Sequence, residues 1–379
     1  MPDRILVDLL SYTGTRGGTE TYVREIAPRL PDALPGVELI ALANRVGADR
    51  VRAFFPGQVR TLRTVGADRV SWALGAVFGT TRAARAAGAD LVWCPANFGP
   101  IRRGPSRRVV TVHDAIYHEA HGSPIARVVS AITSWLMTRS AVTADAVVTV
   151  SQAAARAIRT HIGVSADRIA VVPNGSSAGF APADPWAAVA PLGVHRGRPI
   201  VLSTGNRLPH KNFAGLLRAL ASVAAEDRPL AVITGGGSAD PLTGLRSALG
   251  LDADVVLPGW VGAEQLEALY AVADLYVCPS LAEGFGLPVV DALRREVPVL
   301  ANDIEVLREV GGDAARYADA TDAAGFGRAL RSSLSDPPAE AARTTAREWA
   351  ERFTWERAAT ATAGVLRDAL HGDRPEAGA

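Results

Sequence analysis

The chain has 379 residues, of which 48% are hydrophobic and 21% charged, and its formal net charge is +1. This length is typical of two domains, and the apolar fraction is large enough for two hydrophobic cores. A charge so close to zero excludes the broad positive field with which proteins bind nucleic acid, and it leaves room for peripheral membrane contact at most.

The two cysteines and the amino-terminal residues indicate the compartment. Cys94 and Cys278 lie in the apolar runs LVWCP and LYVCP, which is typical of buried thiols rather than of a disulfide framework or a metal cluster. The first residues, RILVDLL, have the pattern of a strand and not of a signal segment. No stretch approaches the roughly 18 apolar residues of a membrane span. We therefore expect a cytoplasmic protein.

Short β-branched runs alternate with helical segments through the first half of the chain. The runs are ILVDLL, VELIAL, ADLVWCP, RVVTVHD, AVVTVS and IAVVPN, and TETYVREIAPRL and QAAARAIRTHI are two of the helical segments. This alternation predicts an α/β fold with a parallel sheet wrapped by helices. Ser151, which follows AVVTV, is expected to be the N-cap of the next helix.

Gly17 and Gly18, in the segment GTRGGTE, lie between the first predicted strand and its helix. Missing side chains at this point would let a diphosphate approach the backbone, although turn glycines are the simpler interpretation. The pattern is not the GxGxxG of a dinucleotide site, which disfavours a dehydrogenase.

His113 ends the run RVVTVH, at the carboxyl end of a predicted strand where ligands bind in α/β sheets. A lone histidine is more often structural than catalytic. Together with His118 and His121 it suggests a metal site, but no strand or helix geometry brings the three side chains to one point. We therefore expect no metal.

After Asn174 the sequence becomes rich in Pro, Gly and Ala until strands resume at Ile200. This change predicts a first domain over 1–185, a linker over 186–198 and a second domain over 199–354. The helical segment 355–370 is expected to cross back to the first domain, and the tail 371–379 is expected to be disordered.

Lys211 is the single lysine among the 40 basic side chains of the chain. It stands with Arg207 between the strand pattern IVLST at 200–204 and a helix expected to start at Asn212. The carboxyl end of a strand and the amino end of a helix together form an anion site in open α/β sheets. Two cations there indicate a diphosphate, and the alternative is a surface lysine retained by chance.

The segment PSLAEGFGLPVVDALRREVPVLAND at 279–303 is the most informative part of the chain. A strand is expected to end at Ser280 and a helix to begin near Pro288, with a glycine-rich loop between them whose amides can face a ligand. Glu283 in the loop and Asp291 about one turn into the helix can line one pocket and accept hydrogen bonds from sugar hydroxyls. Asp291 is alternatively an acidic residue favoured by the helix dipole.

The run SLAEGFGLPVVDAL resembles the acidic signature of the retaining glycosyltransferases of family 4, in which seven residues separate two acids. Further blocks similar to that family occur in the same order: GTRGGTETYVREI, VVTVHD, AVVTVS, VVPNG, VLSTGNRLPHKN, VITGGG, LPGWVGAEQLEALYAVADLYVCPS and FTWERAA. The resemblance covers nearly the whole chain. It departs from the family at Asp291, where glutamate is usual, and at LRREVPVL, where small residues are commoner.

The resemblance implies the GT-B fold, in which two doubly wound Rossmann-like domains face each other across a cleft. Arg207 and Lys211 match the basic pair that holds the diphosphate of a nucleotide-sugar donor and stabilises the leaving group. Glu283 matches the acid that contacts the donor sugar, and Asp291 matches the ribose contact. The loop whose amides hold sugar and phosphate corresponds to Gly284, Phe285, Gly286 and Leu287.

Two further contacts are implied by the resemblance. His113 matches a histidine that contacts the donor sugar near the reacting carbon. The block PGWVGAEQL at 258–266 corresponds to the loop against which the nucleotide base rests, with Val261 and Leu266 as the contacts. An ordinary strand-to-helix turn is the alternative for that block.

We therefore expect a retaining hexosyltransferase that uses UDP- or GDP-hexose and a hydroxyl acceptor, with no cofactor and no obligatory metal. No motif supplies a dedicated nucleophile, which leaves open the mechanism that the resemblance implies, a same-face displacement in which the departing phosphate helps to deprotonate the acceptor. The alternatives are a sugar-nucleotide epimerase of the same fold and a catalytically silent nucleotide-sugar-binding protein. The nucleotide, the hexose, the acceptor and the oligomeric state are left open by the sequence.

Overall fold

The computed structural model describes residues 2–14, 17–114, 124–177, 179–237 and 239–372. The chain forms two compact units, Met1–Gly175 with Thr354–Ala379, and Ser176–Phe353. The division therefore lies at 175/176 rather than at 185/186. The segment 186–198, expected as a linker, belongs to the second unit, where Pro185–Val189 is helical. Most of the tail 371–379 lies outside the described residues.

The first unit is built from parallel strands and the helices that connect them. Its strands are β1 Arg4–Leu9, β2 Glu38–Asn44, β3 Gln58–Leu62, β4 Leu91–Cys94, β5 Arg107–Thr111, β6 Ala146–Thr149 and β7 Ile169–Val171. Its helices are α1 Gly18–Ile26, α2 Leu30–Ala33, α3 Ala48–Arg52, α4 Arg69–Leu74, α5 Thr80–Ala87, α6 Pro124–Val142, α7 Gln152–Ala157 and α16 Trp355–His371.

The sheet of the first unit has the order β3-β2-β1-β4-β5-β6-β7 with every pair parallel. Central strands are apolar because helices cover both faces, and Ile5, Leu6 and Val7 are completely buried. The edge strand β3 has the sequence QVRTL and is only partly buried, so its pattern gave no prediction. Ser151 caps α7, as expected, because its side chain accepts a hydrogen bond from the amide of Ala154.

The second unit repeats this architecture. Its strands are β8 Ile200–Thr204, β9 Leu230–Thr234, β10 Val255–Val256, β11 Leu275–Cys278, β12 Val299–Asn302 and β13 Arg316–Ala318. Its helices are α8 Pro185–Val189, α9 Phe213–Ala221, α10 Leu242–Ala248, α11 Ala263–Val272, α12 Leu287–Arg294, α13 Glu305–Gly311, α14 Ala323–Ser335 and α15 Glu340–Ala350.

The sheet of the second unit has the order β10-β9-β8-β11-β12-β13, again with parallel pairs. The chain leaves β8 towards one edge of the sheet and leaves β11 towards the other, so the strand order reverses between these two neighbours. Ligands of open α/β sheets bind in the crevice outside the carboxyl ends of the strands at such a point. The prediction of two Rossmann-like α/β units is thus confirmed. The loops after β8 and β11 lie where ligands of open α/β sheets bind.

Both cysteines are buried free thiols, as expected. Within the described ranges, none of the helices combines the length and the apolar character that crossing a membrane requires.

The loop after β11 depends on Gly286, which precedes α12. Its φ is +94°, and a Cβ at this position would lie 2.7 Å from Cδ2 of the buried Leu307. We expect Gly286→Ala to lower the free energy of unfolding by about 1–3 kcal/mol, because both the backbone and the packing oppose a side chain.

Urea denaturation measures this change. The matched control is Gly244→Ala in the interior of α10, where a Cβ meets nothing within 4 Å and alanine is expected to stabilise by about 0.5–1 kcal/mol. Equal effects of the two substitutions would contradict the assignment of strain to Gly286.

Candidate functional site

Lys211 and Glu283 meet at the point where the strand order of the second unit reverses. Lys211 lies in the short turn Pro209–Lys211 between β8 and α9, and Glu283 lies in the loop between β11 and α12. The ammonium Nζ donates to Oε1 of Glu283 over 2.6 Å, and the side chains are 16% and 11% exposed. A partly buried cation and a carboxylate therefore converge from the loops of neighbouring strands.

Hydrogen bonds between the loops hold this pair in place. The amide of Leu281 donates to the carbonyl of His210 over 2.7 Å, which joins the two loops beside the ion pair. The side chain of Asn302 donates to the carbonyl of Ser280 and accepts from the amide of Ala320. Because the backbone is tied at several points, the geometry of the pair is fixed by the fold.

Arg207 lies close by but faces the protein. Its Nε and Nη2 donate to the carboxylate of Asp240, and its Nη1 donates to the carbonyls of Gly205 and Thr234 over 3.1 and 2.9 Å. The second proton of Nη2 goes to the carbonyl of Ile233 over 2.8 Å. All five guanidinium N–H groups are thus engaged, and a contact with diphosphate would require some of these bonds to be exchanged.

The amino end of α12 faces the same crevice. Gly286 is the N-cap and has no side chain with which to cap the first amides of the helix. The side chain of Phe285 is buried and packs edge-on against Phe353 at 5.6 Å between ring centroids. The first amides of α12 therefore have no side-chain cap, and Phe285 anchors the loop that precedes them.

Asp291 lies on α12, beyond the first turn. Its Oδ1 accepts from the hydroxyl of Ser176 over 2.5 Å and lies 3.9 Å from Nη1 of Arg295. Burial raises the pKa of Asp291 to about 6, although the hydrogen bond from Ser176 opposes the shift. A carboxyl group held in this way can exchange its serine partner for the hydroxyl of a ligand.

The residues expected at the nucleotide base lie after the edge strand β10. Val261 is 6% exposed, so it packs in the interior. Leu266 is partly buried on α11 and donates its amide to the carbonyl of Gly262. Val261 lies two residues before α11 and Leu266 lies in the first turn of that helix, and their contact with a base remains a prediction.

His113 lies just beyond β5 in the first unit. Its amide donates to Oδ1 of Asn97 and its Nε2 is 2.8 Å from the carbonyl of Pro95. Because a carbonyl only accepts, Nε2 carries the proton and Nδ1 is the acceptor nitrogen. Burial lowers the pKa of His113 to about 4. The imidazole is therefore neutral at physiological pH and is suited to accept a hydrogen bond, not to supply charge.

Gly17 and Gly18 lie at the amino end of α1. Gly17 is extended, with a φ of 172°, and Gly18 is the first helical residue. A Cβ at either position would meet nothing within 4 Å. Neither backbone conformation nor packing demands glycine here, so a turn requirement does not explain the pair. His118 and His121, considered for a metal, lie outside the described residues.

Two family models match the chain in sequence order. Residues 16–177 match Glycosyltransferase Family 4, and residues 186–351 match Glycosyl transferases group 1. Together these matches take up most of the chain and correspond closely to its two units. The chain belongs to glycosyltransferase family 4.

Curated relatives support this family assignment. The chain is 31% identical to O-antigen chain mannosyltransferase B of Escherichia coli, over 59% of this chain and 61% of that protein. It is 36% identical to the D-inositol 3-phosphate glycosyltransferase of Nocardia farcinica, over 42% of this chain and 38% of that protein. The chain thus matches less than two thirds of the length of each of these relatives.

Solved structures share the fold of this chain. Sucrose-phosphate synthase from Thermosynechococcus elongatus has a TM-score of 0.77 at 19% identity, and the superposition covers 98% of this chain and 100% of the synthase chain. Anabaena HepE in complex with UDP has a TM-score of 0.64 at 19% identity, and the superposition covers 96% of this chain and 95% of the HepE chain. The likeness extends over nearly the whole chain and supports the two-unit Rossmann-like fold that the resemblance implied.

Two polar side chains at the candidate site were not singled out from the sequence. Asp240 is 33 residues from its partner Arg207, and Ser176 is 115 residues from Asp291. The run GGGSADP shows a loop at Asp240 but gives no sign of which cation the carboxylate meets. Only the packing of strands reveals such pairs.

Proposed function

We propose that this glycosyltransferase transfers a hexosyl residue from UDP- or GDP-hexose to a hydroxyl acceptor with retention of the anomeric configuration. The observation that carries the proposal is the Lys211–Glu283 pair at the strand-order reversal of the second unit. A cation for the diphosphate and a carboxylate for sugar hydroxyls stand together there, beside the amino end of α12.

The chemistry follows from these groups. The acceptor oxygen forms a bond to the anomeric carbon while the bond from that carbon to the donor phosphate breaks. The acceptor proton passes to an oxygen of the departing phosphate, so the products are a glycoside and a nucleoside diphosphate. Lys211 stabilises the charge that develops on the phosphate, and Glu283 orients the sugar through its hydroxyls.

Other residues are proposed to complete donor binding. The carboxylate of Asp291 accepts from the ribose, and the amides from Gly284 to Leu287 contact sugar and phosphate. Val261 and Leu266 contact the base. In the first unit, Nδ1 of His113 accepts from a sugar hydroxyl, and the open space at Gly17 and Gly18 admits the donor.

The curated relatives bear on the substrates. A mannosyltransferase among them supports a hexosyl donor, and the D-inositol 3-phosphate glycosyltransferases support a polyol hydroxyl as one class of acceptor. No metal or cofactor enters the proposed reaction.

The test is a transfer assay with UDP- and GDP-linked glucose, galactose and mannose against a panel of polyol, glycan and lipid-linked hydroxyl acceptors. NMR of the product is expected to show the anomeric configuration of the donor, and product formation is expected to depend on the acceptor. A product of inverted configuration would contradict retention, and conversion of the donor sugar without an acceptor would indicate an epimerase instead.

Donor affinity is expected to depend on pH through Asp291. Because the pKa of Asp291 is raised to about 6, its carboxyl is ionised above pH 6 and gains a proton below it. If the ribose requires the carboxylate, affinity for the intact nucleotide sugar is nearly constant from pH 8 to 7 and falls by about tenfold between pH 7 and 5.

Calorimetric titration with the nucleotide sugar measures this dependence, since its diphosphate has no terminal phosphate that titrates near pH 6. Asp291→Asn is expected to bind more weakly and to show no such fall. His113 does not interfere, because its pKa of about 4 lies below the window. The same fall in Asp291→Asn as in the wild type would show that another group is responsible.

A further inference from the structure

Asn97 lies in the first unit, in the loop after β4, and nothing above assigns a role to it. Because β4 and β5 pair in parallel, this loop lies beside His113 at the carboxyl edge of the sheet. The other residues from Pro95 to Gly99 are buried, whereas Asn97 is partly exposed. The loop therefore presents one polar side chain at the edge where His113 lies.

The residues that follow Asn97 anchor the loop. The side chain of Phe98 is 5% exposed, and its ring packs against Trp72 with 4.6 Å between the ring centroids. The amide of Gly99 donates to the buried hydroxyl of Ser140 over 2.8 Å. The position of Asn97 is thus set by the packing of its neighbours and not by contacts of an exposed loop.

Asn97 has a left-handed backbone, with a φ of +67°. This conformation is uncommon for residues other than glycine, and asparagine is among the side chains that tolerate it best. In it, the amide of Asn97 donates to the carbonyl of Thr111 over 2.9 Å, and Oδ1 accepts from the amide of His113 over 2.8 Å. Asn97 therefore fixes the backbone from which the imidazole of His113 departs.

The other half of the Asn97 side chain is a hydrogen-bond donor. Because a backbone N–H only donates, the atom that faces His113 is the carbonyl oxygen, and Nδ2 carries the two remaining protons. Among the residues that the structure describes, none accepts from Nδ2, and solvent reaches this atom.

His113 supplies the complementary group. Its Nε2 donates to the carbonyl of Pro95, and the ring of Tyr22 packs edge-on against the imidazole with 4.8 Å between the centroids. Both contacts hold the ring, and Nδ1 is left as an acceptor. A donor on Asn97 and an acceptor on His113 thus occur together, which is the combination that a hydroxyl group requires, since it accepts through its oxygen and donates its proton.

We propose that Asn97 is a substrate-binding residue that recognises, together with His113, one hydroxyl of the transferred sugar. Nδ2 of Asn97 donates to the hydroxyl oxygen, and the hydroxyl donates its proton to Nδ1 of His113. This inference rests on the proposed function, in which His113 alone was assigned to that hydroxyl. The pair selects against a sugar that lacks the hydroxyl, because both protein groups would then lose their partner.

The experiment compares kcat/KM for the active donor with kcat/KM for each of its monodeoxy analogues, in the wild type, Asn97→Asp, Asn97→Gly and His113→Ala. Asn97→Asp keeps an oxygen for the amide of His113 but has no proton to donate to the sugar. We expect it to lower the preference for the parent donor by about five- to tenfold at one hydroxyl position and at no other. Asn97→Gly, which allows the same φ, and His113→Ala are expected to lower the preference at that same position.

Gln58→Glu on the edge strand β3 is the matched control. It also replaces an amide with a carboxylate, and it keeps the oxygen that accepts from Arg60. Its preferences among the analogues are expected to equal those of the wild type. The melting temperature of each variant separates a loss of folding from a loss of recognition.

A loss of kcat/KM by the same factor for the parent donor and every analogue would overturn the proposal, because Asn97 would then act only through the fold. An effect at a different hydroxyl from the one that His113→Ala affects would overturn it as well. If the wild type transfers no sugar from any nucleotide sugar, the proposed function fails and this inference fails with it. Wild-type transfer with unaltered preferences in Asn97→Asp rejects the role of Asn97 alone.

Discussion

Lys211→Gln is expected to lower kcat by about 10²–10³-fold, the effect of removing a group that stabilises charge developing in the transition state. The ammonium lies at the strand-order reversal of the second unit, 2.6 Å from Glu283. Glutamine has a similar length but no charge, so the leaving diphosphate loses its cation and Glu283 loses its counterion. Steady-state kinetics with the donor that proves active gives kcat and KM separately.

Two further variants sharpen this prediction. Lys211→Arg keeps the charge but replaces a compact ammonium with a planar fork, and it is expected to recover only part of the rate. Arg218→Gln on the exposed face of α9 removes a cation from the same helix and is expected to leave kcat within about twofold of the wild type. Comparable losses at positions 211 and 218 would mean that overall charge, and not the site, controls the rate.

Arg207→Met is expected to cost about 3–5 kcal/mol in the free energy of unfolding, because it leaves Asp240 buried without a counterion. The Asp240 side chain is 6% exposed and the methionine offers no donor to replace the guanidinium. Chemical denaturation measures the change. The double variant Arg207→Met/Asp240→Leu is expected to recover much of the lost free energy of unfolding, because it leaves no unpaired buried charge.

An exposed ion pair provides the matched control. Arg316 and Asp336 are 2.9 Å apart but 42% and 80% exposed, and Arg316→Met is expected to change the free energy of unfolding by less than about 1 kcal/mol. A double variant at 207 and 240 that is no more stable than Arg207→Met would indicate that lost packing, rather than an unpaired charge, causes the destabilisation.

The sequence predicted the fold well where side-chain patterns are strong. Continuous apolar runs such as IVLST and LAVIT became central parallel strands, because burial on both faces demands apolar residues throughout. The edge strand QVRTL was not predicted, because an edge strand tolerates polar residues and so lacks a continuous apolar pattern. The segment 186–198 was interpreted as a linker for its Pro, Gly and Ala content, whereas its first residues continue α8, which packs against α11.

The site was predicted in part for a similar reason. Glu283 and Lys211 stand in loops with recognisable patterns, and their approach to one another follows from the parallel pairing of β8 and β11. The sequence also predicted correctly that Arg207 lies in the loop after β8, but it did not predict the direction in which its guanidinium points. That direction depends on Asp240 and on carbonyls at the end of β9, and no local pattern records such contacts between segments.

The most direct test of the central claim is calorimetric titration of the wild type and Lys211→Gln with UDP, GDP and the corresponding nucleosides at pH 7.5. We predict that the wild type binds one nucleoside diphosphate more tightly than its nucleoside, and that Lys211→Gln loses this preference while keeping its affinity for the nucleoside. Equal affinity for nucleoside and nucleoside diphosphate in the wild type, or a preference that survives in Lys211→Gln, would contradict a diphosphate site at Lys211.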